Sequence, residues 1–311
     1  MTPVVSILIP AHNAERWVAQ AVESAIAQGP DVETIVFDDG STDDTLACIR
    51  RFCDRIRWES GPNRGAPYAR NRLLEIARAP WIQYLDADDY LMPGKVAGQV
   101  AVLPEYPEVD VLYGPETTEW WRETATKVTT APIPEPHDPW RLLALWKLPQ
   151  TGAPLWRRTA LEDVGGWRLE QPCCQEHELY LRLLMAGKHF VHHPSGGAVY
   201  RRFSGGTLST SNMARVRAER AKILSRLEAF LDETGALTSD RQWAVDQARF
   251  DMARSAWSED SGEARRLHAS IRSRGFRPNG NAAPPHYRMS YRVLGFALTE
   301  RLAALRRLVV Q

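Results

Sequence analysis

From residue 4 to residue 85, short apolar runs alternate with stretches of helical period, and no hairpin signal interrupts them. Residues 4–9 are a β-branched run closed by Pro10, apolar on both faces as a central parallel strand requires. Asn13 follows as a candidate helix N-cap, with Glu15 in the first turn. Trp17, Val18, Ala21, Val22, Ala25 and Ile26 then mark one helical face, stopped by Gly29 and Pro30. The unit repeats. Residues 34–37 lead into Asp38-Asp39-Gly40-Ser41, and a helix carrying Leu46, Ile49 and Cys53 follows. Residues 56–59 are a weaker strand, succeeded by a helix with Ala69, Leu73, Ile76 and Ala77 and then by the apolar run from Trp81. Such alternation predicts an α/β fold, a central mostly parallel sheet flanked by helices.

That architecture limits where chemistry can occur, because ligands of such sheets sit beyond the carboxyl ends of the strands. Pro10-Ala11, Asp38-Asp39 and the stretch from Asp86 to Asp88 all fall at that rim. The run beginning at Trp81 ends abruptly in three carboxylates, Asp86, Asp88 and Asp89, within four positions. Carboxylates so crowded repel one another unless a cation sits among them, and a hard, oxygen-seeking divalent ion, Mn²⁺ or Mg²⁺, suits them. The bland alternative is an acidic loop that caps the next helix. Neither G-x-G-x-x-G nor G-x-x-x-x-G-K-[ST] occurs, so the NAD and P-loop fingerprints are absent. Phosphates at this rim would be neutralised by a metal and by side chains, not by a glycine cradle.

Beyond the rim, the pattern predicts a helix over 92–103, a strand over 109–113 and a loop or small β excursion over 115–139. Short helices are expected over 140–146 and 159–164. A helix from Gln175 buries Leu179, Leu183 and Leu184 and carries Glu176 in its first turn, where a carboxylate also favours the helix dipole. A strand over 189–193 and a turn at Ser204-Gly205-Gly206-Thr207 follow. From Met213 the chain is helical and rich in Arg, Ala and Leu, with a linker near 278–285. In the last helix Leu294, Leu298, Leu302, Leu305 and Val309 recur at helical spacing, with Arg288, Arg292, Arg301, Arg306 and Arg307 on its other faces. That pattern suits peripheral contact with an anionic membrane surface, or packing against the catalytic domain or a second subunit.

The net charge of +1, without any Lys/Arg block interleaved with aromatics, gives no reason to expect nucleic acid. None of the four cysteines has CxxC spacing, which argues against zinc and for reduced thiols in a cytoplasmic protein. No signal peptide is evident, and no apolar run approaches the ~20 residues of a membrane span.

Four segments occur together and in order: Ser-Ile-Leu-Ile-Pro-Ala-His-Asn, Phe-Asp-Asp-Gly-Ser-Thr-Asp, Asn63-Arg64-Gly65 with Ala69-Arg70-Asn71, and Leu-Asp-Ala-Asp-Asp. In this the chain resembles the inverting family-2 glycosyltransferases of GT-A fold, over about residues 4–210. The resemblance implies a metal-dependent transferase moving a sugar from a nucleotide-diphosphate donor to a carbohydrate or lipid-linked acceptor, in surface polysaccharide or glycoconjugate synthesis. It implies that Pro10, Ala11 and Asn13 line the nucleotide. Asp39 would hydrogen-bond the base with Asp38 beside it, and Arg70 would face the diphosphate. Asp86-Ala87-Asp88 is similar to the D-x-D motif, with Asp88 on the metal and Asp86 on the ribose or a metal-bound water. The family's catalytic base stands six residues before an Arg on one helix. Counting back from Arg182 reaches Glu176, here in a Gln-Glu pair where the family has Glu-Asp; His177 and Glu178 are alternative bases. Tyr200-Arg201-Arg202 resembles the start of the acceptor-side loop, with either Arg able to reach the diphosphate.

The division implied is a transferase domain over 1–212, its donor half about 1–114 and its acceptor half about 115–212, with a helical region over 213–311. A sugar-phosphate nucleotidyltransferase would open with a Gly-rich, basic first loop, which Pro10-Ala11-His12-Asn13 is not. A non-catalytic sugar-nucleotide-binding protein is the rival from outside the enzymes. The cellular place implied is the cytoplasm, at or near the inner face of the membrane.

Overall fold

A computed structural model describes residues 2–122, 125–203 and 212–309. The expected turn at 204–207 lies outside them. Contacts divide the chain into two units, Met1–His137 with Leu148–Ser211, and Asp138–Lys147 with Asn212–Gln311.

The first unit is built on a seven-stranded sheet. Strand β1 (Val5–Ala11) lies at its centre, between β2 (Val32–Asp39) and β4 (Trp81–Tyr84), with β3 (Arg57–Gly61) outside β2. These four strands are parallel. Beyond β4 come β9 (Leu155–Arg157), antiparallel to both its neighbours, then β6 (Val111–Tyr113) and the edge strand β10 (Phe190–His192). Helices α1 (Val18–Ile26), α2 (Thr45–Arg50) and α3 (Ala66–Ile76) connect the parallel strands, followed by α4 (Lys95–Val102), α6 (Arg158–Asp163) and α7 (Gln175–Met185). Val5, Ile7, Ile9 and Ala11 join Val18, Val22, Ala25 and Ile49 in one core cluster on one face of β1. Leu8, on the other face, is as completely buried. Burial on both faces explains why β1 reads as an unbroken apolar run.

Pro10 does not close β1, which continues to Ala11. The Leu8 carbonyl accepts from Leu85 N, so Leu8 faces β4, and Pro10, two residues on, faces the same way. The ladder with β4 ends at the Leu8–Tyr84 pair, so no partner awaits the N–H that proline lacks.

The segment after β6, read as loop or small β excursion, forms strands β7 (Glu116–Arg122) and β8 (Ala125–Ala131), paired antiparallel. With β5 (Tyr90–Leu91) and β11 (Ala198–Phe203) they make a second sheet in the order β5-β11-β7-β8. Strand β5 follows the carboxylate run directly, so this sheet begins at the rim of the first.

The second unit is helical: α5 (Pro139–Ala144), α8 (Met213–Glu233), α9 (Ser239–Ala256), α10 (Ser261–Ala269) and α11 (Pro285–Val309), with non-helical backbone at Gly295 inside α11. Its helices start where side chains satisfy first-turn amides. Asn212, Thr238 and Asp260 accept from the backbone of Arg215, Arg241 and Glu263, and Asp138 does so for Trp140. Phe250, Ala253, Ala256, Ala264, Tyr287 and Phe296 form its core. The buried side of α11 is therefore aromatic, and the Leu294, Leu298, Leu302 and Leu305 face that sequence periodicity singled out is exposed. No helix among the described residues is long and apolar enough to cross a membrane.

Candidate active site

Three adjacent parallel strands, β4, β1 and β2, end at one rim, and Asp86–Asp88, Pro10–Ala11 and Asp38–Asp39 stand there together. The register places Ala11 opposite Asp38. Asp38 is buried and accepts from Ser60 Oγ at 2.9 Å and Ser41 N at 3.3 Å, so it ties β2 to β3 and to its own turn. Asp39 accepts from Arg64 N and Gly65 N, each at 2.8 Å. This carboxylate holds the loop that opens α3, and each oxygen keeps a second lone pair for a ligand. The turn after Asp39 needs glycine: Gly40 has φ +66°, and a Cβ there would lie 2.6 Å from Asn63 N.

Asn13 is not the N-cap of α1, whose N-cap position is Trp17. It adopts φ +48°, and its side chain accepts from Thr42 N at 2.9 Å, joining the β1 and β2 turns. Both turns are thus braced against one another where the resemblance puts the nucleotide.

Arg70 of α3 draws the remaining groups together. Its guanidinium donates to Asp86 Oδ1 at 2.7 Å and to Gln175 Oε1 at 2.8 Å, and it lies 4.6 Å over the Trp167 ring. Burial alone would lower its pKa, but the Asp86 charge and hydrogen bond, with Glu176 adding to them, raise it instead. Trp167 is fixed in turn. Asn71 Oδ1 accepts from Trp167 N and Asn71 Nδ2 donates to Trp167 O, both at 2.8 Å. Neighbouring residues of α3 therefore do two jobs, Asn71 clamping the aromatic seat on which Arg70 rests. Sequence reading missed this seat. The only signal for it was Gly165-Gly166-Trp167, unusual before a helix but silent about a partner.

At the start of α7, Glu176 is largely buried, yet its pKa is lowered. Burial works the other way, and the His177 hydrogen bond and charge, the Glu176 backbone amide and Arg70 outweigh it. His177 Nδ1 lies 3.1 Å from Glu176 Oε1. Glu178 is occupied elsewhere, 2.8 Å from Arg182 Nε and 3.1 Å from Arg168 Nε. Arg182 also donates to the carbonyls of Val164 and Gly166, anchoring α7 to the turn before Trp167.

The carboxylate run is electrostatically strained. Burial first, then the Asp86 charge, pushes the Asp88 carboxyl up to about 6. Asp89, more deeply buried beside both, is also raised well above the usual carboxylate range, by burial first and then by their charges, and accepts from Arg201 N at 2.8 Å. Arg201 is buried, and its guanidinium nitrogens donate to Glu119, the Asp88 carbonyl and Gln20. Arg202 is the exposed cation of the pair, beside Trp120. Among the described residues no group of three or more His, Cys, Asp or Glu side chains is arranged to hold a metal ion by itself.

Residues 6–164, just over half the chain, match the sequence model of the family described as Glycosyl transferase family 2. The chain is 42% identical over 98 residues to the succinoglycan biosynthesis protein ExoU of Rhizobium meliloti (strain 1021), and 41% identical over 98 residues to a chondroitin synthase of Escherichia coli. Each match covers 30% of this chain but only 28% and 14% of those relatives' own lengths. Among solved structures, S. aureus TarS 1-349 in complex with UDP-GlcNAc superposes with a TM-score of 0.57 at 17% identity, covering 86% of this chain and 90% of TarS 1-349. The mannosyltransferase PcManGT of Pyrobaculum calidifontis, in complex with GDP-Man and Mn²⁺, gives 0.54 at 18% identity, covering 87% and 79%. At such identities the likeness is one of fold, GT-A.

Proposed function

Because the chain belongs to glycosyl transferase family 2, we propose that it transfers a sugar from a nucleotide-diphosphate donor to an acceptor hydroxyl, inverting the anomeric carbon. The observation that carries this reading is Arg70, bonded at once to the carboxylate turn through Asp86 and to the start of α7 through Gln175. It links a place for the diphosphate to a place for the base.

In this reading Pro10, Ala11, Asn13, Asp38 and Asp39 form the floor for the nucleotide. Arg70, its charge secured against burial by Asp86 and Glu176, faces the diphosphate and stabilises the negative charge that develops as it leaves. Glu176, ionised at neutral pH, accepts the proton of the acceptor hydroxyl as that oxygen attacks. His177, on the same carboxylate, orients it. One displacement from the face opposite the leaving group inverts the configuration without a covalent enzyme intermediate.

The donor set at Asp86 and Asp88 fits a hard divalent cation, Mn²⁺ or Mg²⁺. Its chemistry is all-oxygen, and Asp88 is disfavoured as an anion by burial first and by the Asp86 charge second, a cost that a bound cation would offset. With so few protein ligands, donor phosphates would complete the shell. When bound, the ion neutralises the diphosphate leaving group. PcManGT holds Mn²⁺ together with its donor, which favours the same reading.

The polysaccharide relatives favour a carbohydrate acceptor and a role in polysaccharide or glycoconjugate assembly. The test is Glu176→Gln. Calorimetry with a nucleotide sugar and Mn²⁺ is expected to show donor binding retained, while transfer falls by about a thousandfold. Loss of donor binding in this variant would make Glu176 a binding residue and remove the assigned base.

A further inference from the structure

We propose that α11 docks this chain on an anionic lipid surface. Helix α11 exposes large apolar side chains from Met289 to Leu305. Met289 is 74% exposed and Val293 77%, and Leu294, Leu298, Leu302 and Leu305 are exposed on either side of the kink. Leu298, Leu302 and Leu305 lie at the i, i+4 and i+7 positions of one helical face, so they form a stripe and not a scatter. The core beneath is already complete, supplied by Tyr287 and Phe296 against Phe250.

Charge selects the occupant. Arg288, Arg292, Arg301 and Arg306 are exposed on the same helix. Its one carboxylate, Glu300, is fully buried, held by Arg254 at 2.5 Å and by the Tyr287 hydroxyl at 2.7 Å. The exposed surface of α11 is therefore apolar and cationic, with no exposed carboxylate of its own. A second copy of the chain meeting this face across a two-fold axis would set arginines against arginines. A lipid surface bearing anionic headgroups answers both features, taking up leucine side chains below the headgroups and pairing the arginines at their level. Gly295, at φ +72°, breaks the helix, so its two segments can each lie in the plane of a surface. Docking is independent of the sugar-transfer reading, since it needs neither donor nor acceptor.

The test is co-sedimentation of the full chain with vesicles of phosphatidylcholine mixed with phosphatidylglycerol, and with vesicles of phosphatidylcholine alone. Binding is expected to the mixed vesicles and to fall about tenfold on the neutral ones and at high salt. Leu298→Glu with Leu302→Glu, and separately Arg292→Glu with Arg301→Glu, should each reduce binding by about tenfold or more, with melting temperature unchanged because all four side chains are exposed. Absence of binding to the mixed vesicles overturns the proposal, as does binding that neither pair of substitutions reduces. So does sedimentation equilibrium showing a dimer that the leucine substitutions dissociate, which would make a second copy the occupant.

Discussion

Asp88 shows how a carboxylate buried at a strand-end rim can work against its own fold. Its folded pKa, pushed up to about 6 by burial and the Asp86 charge, lies above the unfolded value of about 3.9. The folded chain thus binds more protons than the unfolded chain between these values, and stability falls as pH rises through that window. The gap between the two values sets an upper bound of about 3 kcal/mol, and partial solvent contact reduces it to about 1 kcal/mol. Asp88→Asn, melted in the presence of chelator, should be more stable than the parent at pH 7.5 by about that amount and indistinguishable at pH 4. The same variant should lose cation-dependent transfer by at least about a hundredfold. Full turnover in Asp88→Asn would remove the metal assignment. At this scale the acidic residues were legible, because strand ends announce themselves where apolar runs stop. Among the cations, Arg70 stood out only through the family resemblance. Arg201 and Arg202 look alike in sequence, and only the partners of Arg201, drawn from Gln20, Asp88 and Glu119, reveal that it is the one tied into the fold.

Among elements, the join between α3, the turn at Gly166 and the start of α7 carries the site. Gly166 has φ +64°, and a Cβ there would lie 2.4 Å from Asn71 Oδ1, the atom that accepts from Trp167 N. Gly166→Ala is expected to destabilise the fold by about 1–3 kcal/mol, read by urea unfolding, and to weaken donor binding as Trp167 shifts beneath Arg70. Unchanged donor affinity alongside lost stability would show that the aromatic seat does not position Arg70. The helices α3 and α7 could be read from their apolar periods. Their linkage could not, since an amide clamping a backbone 96 residues away leaves no periodic trace. The edge of β1 was misjudged for a related reason: proline signals a strand end only where a partner strand would need its N–H, and β4 had already stopped.

For the whole molecule, alternation of strands and helices was enough to give the parallel half of the sheet, because every connection there is a local βα unit. The antiparallel insertion of β9 between β4 and β6 depends on pairing across long stretches of chain, which alternation does not encode. The helical unit hid its core in the same way, since the leucine period of α11 marks the exposed face and the aromatics mark the buried one. Its interior also holds a buried ion pair, Arg249 with Glu228 at 2.6 Å. Arg249→Ala would remove from buried Glu228 the guanidinium that holds both its oxygens, and a loss of about 3–5 kcal/mol in urea unfolding followed by helical signal is expected.

The central claim is that Arg70, Asp86 and Asp88 receive one nucleotide-diphosphate donor beside Glu176. Thermal melting across a panel of nucleotide sugars, with and without Mn²⁺, tests it most directly. At a donor concentration of about a hundredfold over Kd, one donor should raise the melting temperature by about 5 °C with Mn²⁺. That rise should survive Glu176→Gln and vanish in Asp88→Asn and Arg70→Met. A rise of equal size in Asp88→Asn and Arg70→Met, or none with any donor, would contradict the account.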